Sequence, residues 1–274
     1  MSAIKRFFGN IFWRLHQGVD MKSTFENLYA CRQQSAKTFE AINRKVFGDL
    51  YAGDLTDPCG FSTLEDLDAL FQRSGLPEAE KSDKRLIDLA CGRGGAGLWL
   101  AKKTGSTLEG YDLSEVAIEA AESRIAEYGM EGRAKFGAAD IREIPAESSA
   151  FDVATCVDSL FIIPDKLAVL NEVRRVLKPG GIFECITWEV RRAFAVPDYR
   201  PLLKKANFSV EYYEEVPGWR DRQRGMHEEL IARQDQLIEE MGKKAASVWL
   251  NCAKYELRHL DQMRRVFFVA RRPL

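Results

Sequence analysis

The sequence has few cysteines and histidines, and these residues are not arranged as they are in common metal sites or disulfide frameworks. Six cysteines and three histidines occur among 274 residues, and no two cysteines form a Cys-x-x-Cys pair. This pattern excludes the usual zinc motifs and a disulfide-rich fold. Cys91, Cys156 and Cys185 lie in or beside apolar stretches, where free thiols pack as small buried side chains. We therefore expect no bound metal and a reducing, cytoplasmic environment.

Long apolar runs and a strong net charge are also absent. No uninterrupted apolar segment reaches the ~18 residues that a membrane-spanning helix needs, and the N-terminus shows no long apolar stretch followed by a cleavage site. The formal net charge of -1 provides no overall field for gathering nucleic acid. We therefore expect a soluble chain with no integral membrane span, no signal peptide and no nucleic-acid partner.

Residues 4–15 are an exception, because their apolar side chains recur at helical spacing with basic residues between them. Such a helix could lie on a membrane surface. It could instead dock on its own domain or on a partner. The pattern favours this docking over membrane binding.

From Lys84 onward, short apolar runs alternate with helical patterns, which is typical of an α/β fold. The pattern predicts a Rossmann-like, doubly wound sheet that is mostly parallel, with one antiparallel strand near the C-terminus. The predicted strands cover residues 85–89, 107–111, 134–138, 151–157, 182–188, 208–216 and 265–270.

Helical regions flank this sheet and divide the chain. Residues 1–80 are interpreted as an N-terminal helical cap, and residues 81–274 as the α/β domain. A helical insertion at about 217–263 precedes the last strand. Within the cap, residues 51–61 are rich in Gly, Asp and Pro and predict a loop, after which Ser62 or Thr63 can cap the next helix.

A glycine-rich turn follows the first strand and is the clearest sign of a ligand. Gly92, Gly94 and Gly97 match the Gly-x-Gly-x-x-Gly pattern, and Asp112 comes 20 residues after Gly92. This arrangement would suit a nicotinamide dinucleotide. Acidic residues in and after successive strands argue against two phosphates and favour a ligand with an ammonium, a sulfonium and an adenosine. These acids are Asp88, Asp112, Asp140 and Asp158.

Four segments resemble, in order, the motifs of the class I S-adenosylmethionine-dependent methyltransferases of the small-molecule type. They cover residues 87–94, 110–114, 139–141 and 175–181, and the resemblance extends over about residues 84–188. One departure is Ala90, which stands where many members have glycine. The resemblance implies S-adenosylmethionine as the cofactor.

The resemblance also implies roles for individual residues. Asp88 and the turn at Ala90, Gly92 and Gly94 would hold the methionine end. Asp112 would accept hydrogen bonds from both ribose hydroxyls, and Asp140 would accept one from the adenine amine. Leu113 and Ile141 would sandwich the adenine, and Val157 with Asp158 would border the methyl-transfer face.

The resemblance predicts transfer of a methyl group to an N, O or C atom of a small molecule. Two alternatives remain open: an S-adenosylmethionine-binding enzyme that does not methylate, such as a cyclase, and a nicotinamide-dependent oxidoreductase. Asp158 and Glu189 are candidate catalytic residues, and His16 or His227 could serve if the flanking helices close over the site. A homodimer is also considered.

The acceptor pocket is expected between the sheet edge and the caps. Arg200, with Arg191, Arg192 and Arg220, could bind a carboxylate or phosphate on the acceptor. The predicted aromatic walls are Tyr51, Phe161, Trp188, Tyr199 and Trp219.

Overall fold

A computed structural model describes residues 36–55, 61–191 and 196–274, together with Lys22 and Glu26. The amphipathic segment predicted at residues 4–15 lies outside these residues. Seven strands form one sheet in the order β3-β2-β1-β4-β5-β7-β6. The strands are β1 (Arg85–Leu89), β2 (Thr107–Asp112), β3 (Ala134–Ala138), β4 (Phe151–Val157), β5 (Leu177–Val190), β6 (Ser209–Glu215) and β7 (Met263–Arg271).

The strand directions confirm the predicted sheet. β1 pairs in parallel with β2 and β4, and the parallel pairing continues to β3 on one side and β5 on the other. β7 runs antiparallel to both β5 and β6. The carboxyl ends of β1 to β5 therefore lie at one edge of the sheet, where ligands of open α/β sheets bind.

Eight helices are present in the described part of the chain, and local capping sets where two of them begin. Thr63, one of the two residues predicted to cap a helix here, forms a capping box with Asp66, and the Ser114 side chain accepts a hydrogen bond from the Ala117 N–H. The helices are α1 (Ala36–Phe47), α2 (Leu64–Arg73), α3 (Gly95–Thr104), α4 (Glu115–Ser123), α5 (Lys166–Val176), α6 (Arg200–Lys205), α7 (Trp219–Ala232) and α8 (Gln234–Leu257).

Two helical layers cover the sheet, and successive residues of β5 alternate between them. Phe183 and Cys185 pack in the layer that contains α5 and α6. Ile182, Ile186 and Trp188 pack in the layer that contains α2 and α3. The position of a residue along β5 therefore decides which layer its side chain joins.

The helices outside the sheet form a third cluster. Phe39 and Ile42 of α1 pack with Met226 and Leu230 of α7 and with residues of α8. The long helical region predicted before the last strand is two helices, and α8 is interrupted by non-helical backbone at Gly242. No helix in the described ranges is long and apolar enough to cross a membrane.

The α2 helix belongs to the sheet layers rather than to this third cluster. Leu67 and Leu70 pack in the same apolar cluster as Leu86 of β1. The domain boundary near residue 80 stays a prediction, since one helix on its N-terminal side packs on the sheet and α1 packs on α7.

Candidate functional site

The turn between β1 and α3 has three residues in the left-handed region of backbone space. Ala90 has φ +52°, Gly92 has φ +53° and Gly94 has φ +73°. Glycine adopts this conformation freely, whereas a side chain there costs roughly 1–2 kcal/mol. The departure noted at Ala90 is therefore a strained position in the turn.

The Asp112 carboxylate lies at the carboxyl end of β2 and joins this turn to the start of α4. One oxygen accepts a hydrogen bond from the Gly92 N–H at 2.9 Å, and the other accepts one from the Ser114 N–H at 2.9 Å. A carboxylate accepts hydrogen bonds and donates none, and these two backbone N–H groups fix its orientation in the turn. This arrangement suits a vicinal diol such as a ribose.

Asp88 lies beneath the turn and is almost fully buried. Burial raises the pKa of its carboxyl group to about 7, although hydrogen bonds from Thr155 and the Gly97 backbone lower it. The Thr155 hydroxyl donates to Asp88 Oδ1 at 3.0 Å. A Cβ atom on Gly97 would lie 2.6 Å from Asp88 Oδ2, so only glycine allows this approach. Asp88 thus stabilises the strand–helix junction, and its contact with a cofactor stays a prediction.

Asp140 follows β3 at the same edge of the sheet. Its Oδ1 accepts hydrogen bonds from Arg142 Nε at 3.0 Å and from the Arg142 backbone N–H at 2.9 Å. The hydrogen bond from the Arg142 side chain lowers the pKa of Asp140. The structure therefore brings the residues predicted to bind the cofactor to the carboxyl ends of adjacent strands. Leu113 and Val157 are half-buried there, and Ile141 is buried.

Asp158, just after β4, has φ +51° and forms a buried ion pair. Arg265 Nε donates to Asp158 Oδ1 at 3.0 Å, and Arg265 Nη2 donates to Oδ2 at 2.8 Å. The same guanidinium donates through Nη1 to Asp66 at 2.8 Å, and the Ser62 hydroxyl donates to Asp158 Oδ2 at 3.0 Å. The charges of Asp158 and Asp66 raise the pKa of Arg265, although burial, the largest influence, acts to lower it.

Sequence reasoning missed Arg265 and Asp66 as parts of the site. The one available signal was a cationic residue at the start of the apolar run that forms β7. A buried arginine must be paired, so its partners had to lie elsewhere in the chain.

A family model described as "Methyltransferase domain" matches residues 80–244. The chain belongs to this family. The predicted membership of the class I S-adenosylmethionine-dependent methyltransferases is confirmed, and S-adenosylmethionine is the cofactor that this family uses.

Curated relatives of this methyltransferase-family chain are similar over about half of its length. It is 32% identical over 144 residues to Methyltransferase GfsG of Streptomyces halstedii, covering 50% of each chain. It is 33% identical over 147 residues to a probable tocopherol O-methyltransferase of Oryza sativa subsp. japonica, covering 52% of this chain and 40% of the relative. The chain thus spans half or less of the length of these relatives.

A solved structure shows the same fold over most of the chain. The (4+2)-cyclase SpnF superposes with a TM-score of 0.74 at 22% identity, covering 92% of this chain and 96% of the other.

In this family member, four aromatic rings lie together near the end of β5. We call Phe61, Phe161, Trp188 and Trp219 the aromatic group. The Trp188 ring centroid is 5.5 Å from that of Phe61, 6.5 Å from that of Phe161 and 5.1 Å from that of Trp219. The structure therefore brings together three of the predicted pocket residues and adds Phe61.

Three other predicted pocket residues do not join the aromatic group. Tyr199 is buried in the opposite layer, where its hydroxyl donates to the Trp188 carbonyl at 3.3 Å. Arg200 is exposed and pairs with Asp198. Tyr51 packs with the third cluster beneath the Arg44 guanidinium. Their role in an acceptor pocket stays a prediction that this packing does not support.

Glu189 lies near the end of β5, on the face that holds Tyr199 and Tyr213. It accepts a hydrogen bond from the Tyr213 hydroxyl, and Arg264 Nη1 lies 3.2 Å from its Oε2. Burial raises the pKa of Glu189. A cavity of about 230 Å³ beside it contains equal numbers of acidic and basic side chains, so it is not a simple anion site. Its charged lining is Glu189, Arg191, Glu215, Arg220, Asp261 and Arg264.

His227 is buried between α7 and α8. Its Nε2 atom lies 2.7 Å from Glu256 Oε2 and 2.8 Å from Gln223 Nε2. The insertion thus has a polar group in its interior. The other histidine considered as a base, His16, lies outside the described residues, as does Arg192.

Proposed function

We propose that this chain binds S-adenosylmethionine at the carboxyl ends of β1 to β4 and transfers its methyl group to a small molecule. The observation that carries the proposal is the Asp112 carboxylate, which two backbone N–H groups orient within the glycine turn. Because the chain belongs to the methyltransferase family, the ligand expected at this carboxylate is S-adenosylmethionine. A carboxylate accepts hydrogen bonds from a diol, whereas it repels a phosphate.

The other cofactor contacts follow from the same edge of the sheet. Asp140 would accept the adenine amine in place of the Arg142 guanidinium, which donates to both carboxylate oxygens in this structure. Leu113 and Ile141 supply the apolar faces for the adenine ring. The backbone of Ala90, Gly92 and Gly94 approaches the methionine end, with Asp88 fixing the turn from below.

S-adenosylmethionine, when bound, would supply an electrophilic methyl group on its sulfonium sulfur for transfer to a lone pair of the acceptor. The residues of the chain contribute alignment and exclusion of water. Asp158 is a positioning residue in this proposal, because both of its carboxylate oxygens are bound by the Arg265 guanidinium. Glu189, on the opposite face of β5, is retained as a candidate proton acceptor.

The cysteines bear on the compartment in which the chain works. Cys91, Cys156, Cys185 and Cys252 are free thiols, which supports a reducing compartment such as the cytoplasm. A homodimer and docking of residues 4–15 on this domain or on a partner stay predictions.

Calorimetry with S-adenosylmethionine and with NAD tests the cofactor. We expect saturable binding of S-adenosylmethionine and none of NAD, and tight binding of NAD alone would return the chain to the oxidoreductase alternative.

Methyl transfer is tested with methyl-labelled S-adenosylmethionine and the probe acceptors 1-naphthol and 1-naphthylamine. We expect S-adenosylhomocysteine and a labelled product to appear in equal amounts. Conversion of an acceptor with unreacted cofactor retained throughout would contradict methyl transfer and favour the cyclase alternative.

A further inference from the structure

Trp188 and Trp219 pack edge to face, but only one of their indole N–H groups has a hydrogen-bond partner within the described part of the chain. Their ring centroids are 5.1 Å apart with planes at 86°, and both side chains are at least 97% buried. Trp219 Nε1 donates to Glu215 Oε1 at 2.6 Å. Trp188 Nε1 has no hydrogen-bond acceptor among the described residues. A buried donor without an acceptor costs about 1–3 kcal/mol, which indicates that a ligand supplies the missing oxygen.

The position of Trp188 places this N–H beside the predicted methyl-transfer face. Val157 pairs with Ile186 in the β4–β5 register, so Trp188 lies two residues beyond the end of that pairing. The Asp158 N–H donates to the Ile186 carbonyl at 2.8 Å. Arg265, which binds Asp158, has its guanidinium carbon 5.9 Å from the Trp188 ring centroid. Trp188 is therefore next to the side chains at the end of β4.

The surroundings of Trp188 are mainly aromatic rings. Phe61 and Trp219 meet the indole nearly at right angles, at 83° and 86°, and Phe161 meets it at 66°. These rings bury flat apolar surface. The single unpaired polar atom in this aromatic group is the Trp188 N–H donor, among the residues described.

We propose that the Trp188 indole N–H donates a hydrogen bond to an oxygen atom of the methyl acceptor. This contact selects flat, largely apolar molecules that have a hydroxyl or carbonyl oxygen. Such oxygens have lone pairs that accept from an indole, whereas a protonated amine has none. The inference rests on the proposed function, since it assigns the acceptor of that same site.

The test uses the full chain, labelled with ¹⁵N and saturated with S-adenosylhomocysteine. Five tryptophans give five indole N–H signals. The Trp188 signal is assigned by its loss in Trp188→Phe and, independently, in Trp188→Tyr. Trp219→Phe assigns the control signal, whose N–H is already bonded to Glu215. The probes are 1-naphthol and naphthalene, which differ by one hydroxyl group.

We expect 1-naphthol to move the Trp188 indole proton downfield, while naphthalene does not. The dissociation constant for 1-naphthol should rise about fivefold to tenfold in Trp188→Phe, which is the effect of one net hydrogen bond. The dissociation constant for naphthalene should change less than about twofold. The four remaining indole signals report whether each variant is folded.

Three results would overturn the inference. The first is a Trp188 signal that does not move while the Trp219 signal shifts. The second is an equal loss of affinity for both probes in Trp188→Phe. The third is that neither probe binds. Binding of S-adenosylhomocysteine is measured first on the same sample. Failure at that step refutes the proposed function itself, and failure at the later step refutes only the contact to Trp188.

Discussion

Arg265 binds Asp158 through two nitrogens, although 107 residues separate them in the chain. Arg265 is 1% exposed and also binds Asp66 at the start of α2. One guanidinium therefore connects β7, the end of β4 and the N-terminus of α2. These three segments surround the place where the acceptor is expected, so this ion-pair network sets the geometry of that side of the site.

Replacing Arg265 tests the network. Arg265→Met leaves two buried carboxylates without their cation, and we expect a loss of about 3–5 kcal/mol in the free energy of unfolding, measured with urea. Arg271→Met on the same strand removes a more exposed pair with Glu211 and should cost less than about 1 kcal/mol. Equal losses in the two variants would show that the buried network contributes little.

Replacing Asp112 tests the proposed ribose contact. Asp112→Ala should weaken binding of S-adenosylmethionine by roughly 2–4 kcal/mol, because two hydrogen bonds to a charged group are lost. The matched control is Asp152→Ala, at the amino-terminal edge of the sheet, where Asp152 pairs with Lys84 and Lys178. Calorimetry should show unchanged affinity in this control. Unchanged affinity in Asp112→Ala would refute the assigned role.

Ala90→Gly tests the strain in the glycine turn. Glycine relieves about 1–2 kcal/mol of left-handed strain and costs about 0.5–1 kcal/mol in chain entropy. The net effect should be a gain of about 0.5–1 kcal/mol in stability. Ala120→Gly, within α4, should instead lose about 1 kcal/mol, because Ala120 has ordinary helical backbone. A loss of stability in Ala90→Gly, measured by urea unfolding, would contradict this explanation.

Glu184 provides a test by pH. It lies within β5, fully buried, and neither of its oxygens has a hydrogen-bond partner among the described residues. Burial raises its pKa well above the ordinary value of 4.5, although the charge of Arg73 acts to lower it. The folded state thus retains a proton that the unfolded state releases. As pH rises above 4.5, this residue therefore makes folding progressively less favourable.

We expect Glu184→Gln to remove this dependence, so that the variant gains stability relative to the wild type between about pH 5 and about pH 8. Glu109 is the matched control, because burial acts to raise its pKa but hydrogen bonds from Arg85 and Lys135 lower it overall. Glu109→Gln should therefore be less stable than the wild type at pH values above the ordinary pKa of the carboxyl group. If urea unfolding shows the same dependence of stability on pH for the wild type and Glu184→Gln, then Glu184 is not a buried neutral acid.

The sheet could be predicted strand by strand because its signals are local. The bounds of β1, β3 and β4 match the apolar runs that predicted them. The β5 strand is longer than predicted, since it pairs with β7 as far as Val190. The α4 helix ends at Ser123, after which the chain turns until Gly129. Element ends depend on long-range pairing, which a local pattern does not contain.

The shared location of the residues predicted to bind the cofactor could be anticipated because parallel strands place their carboxyl ends at one edge, so residues that follow successive strands become neighbours. Asp112 and Asp140 illustrate this rule. The acceptor side follows no such rule. Tyr199 and Trp188 were predicted to line one pocket, but they occupy opposite faces of β5 and its neighbours.

The sequence alone determined the α/β order, the glycine turn with its acids, and thereby the family and its cofactor. These features depend on residues close together in the chain and on one topological rule. The tertiary structure decided that Asp158 is bound by Arg265. It also decided that, among the residues the structure describes, the Glu184 oxygens and the Trp188 N–H have no hydrogen-bond partner. Each of these facts depends on contacts between distant segments, because burial removes water and makes the presence or absence of one partner decisive.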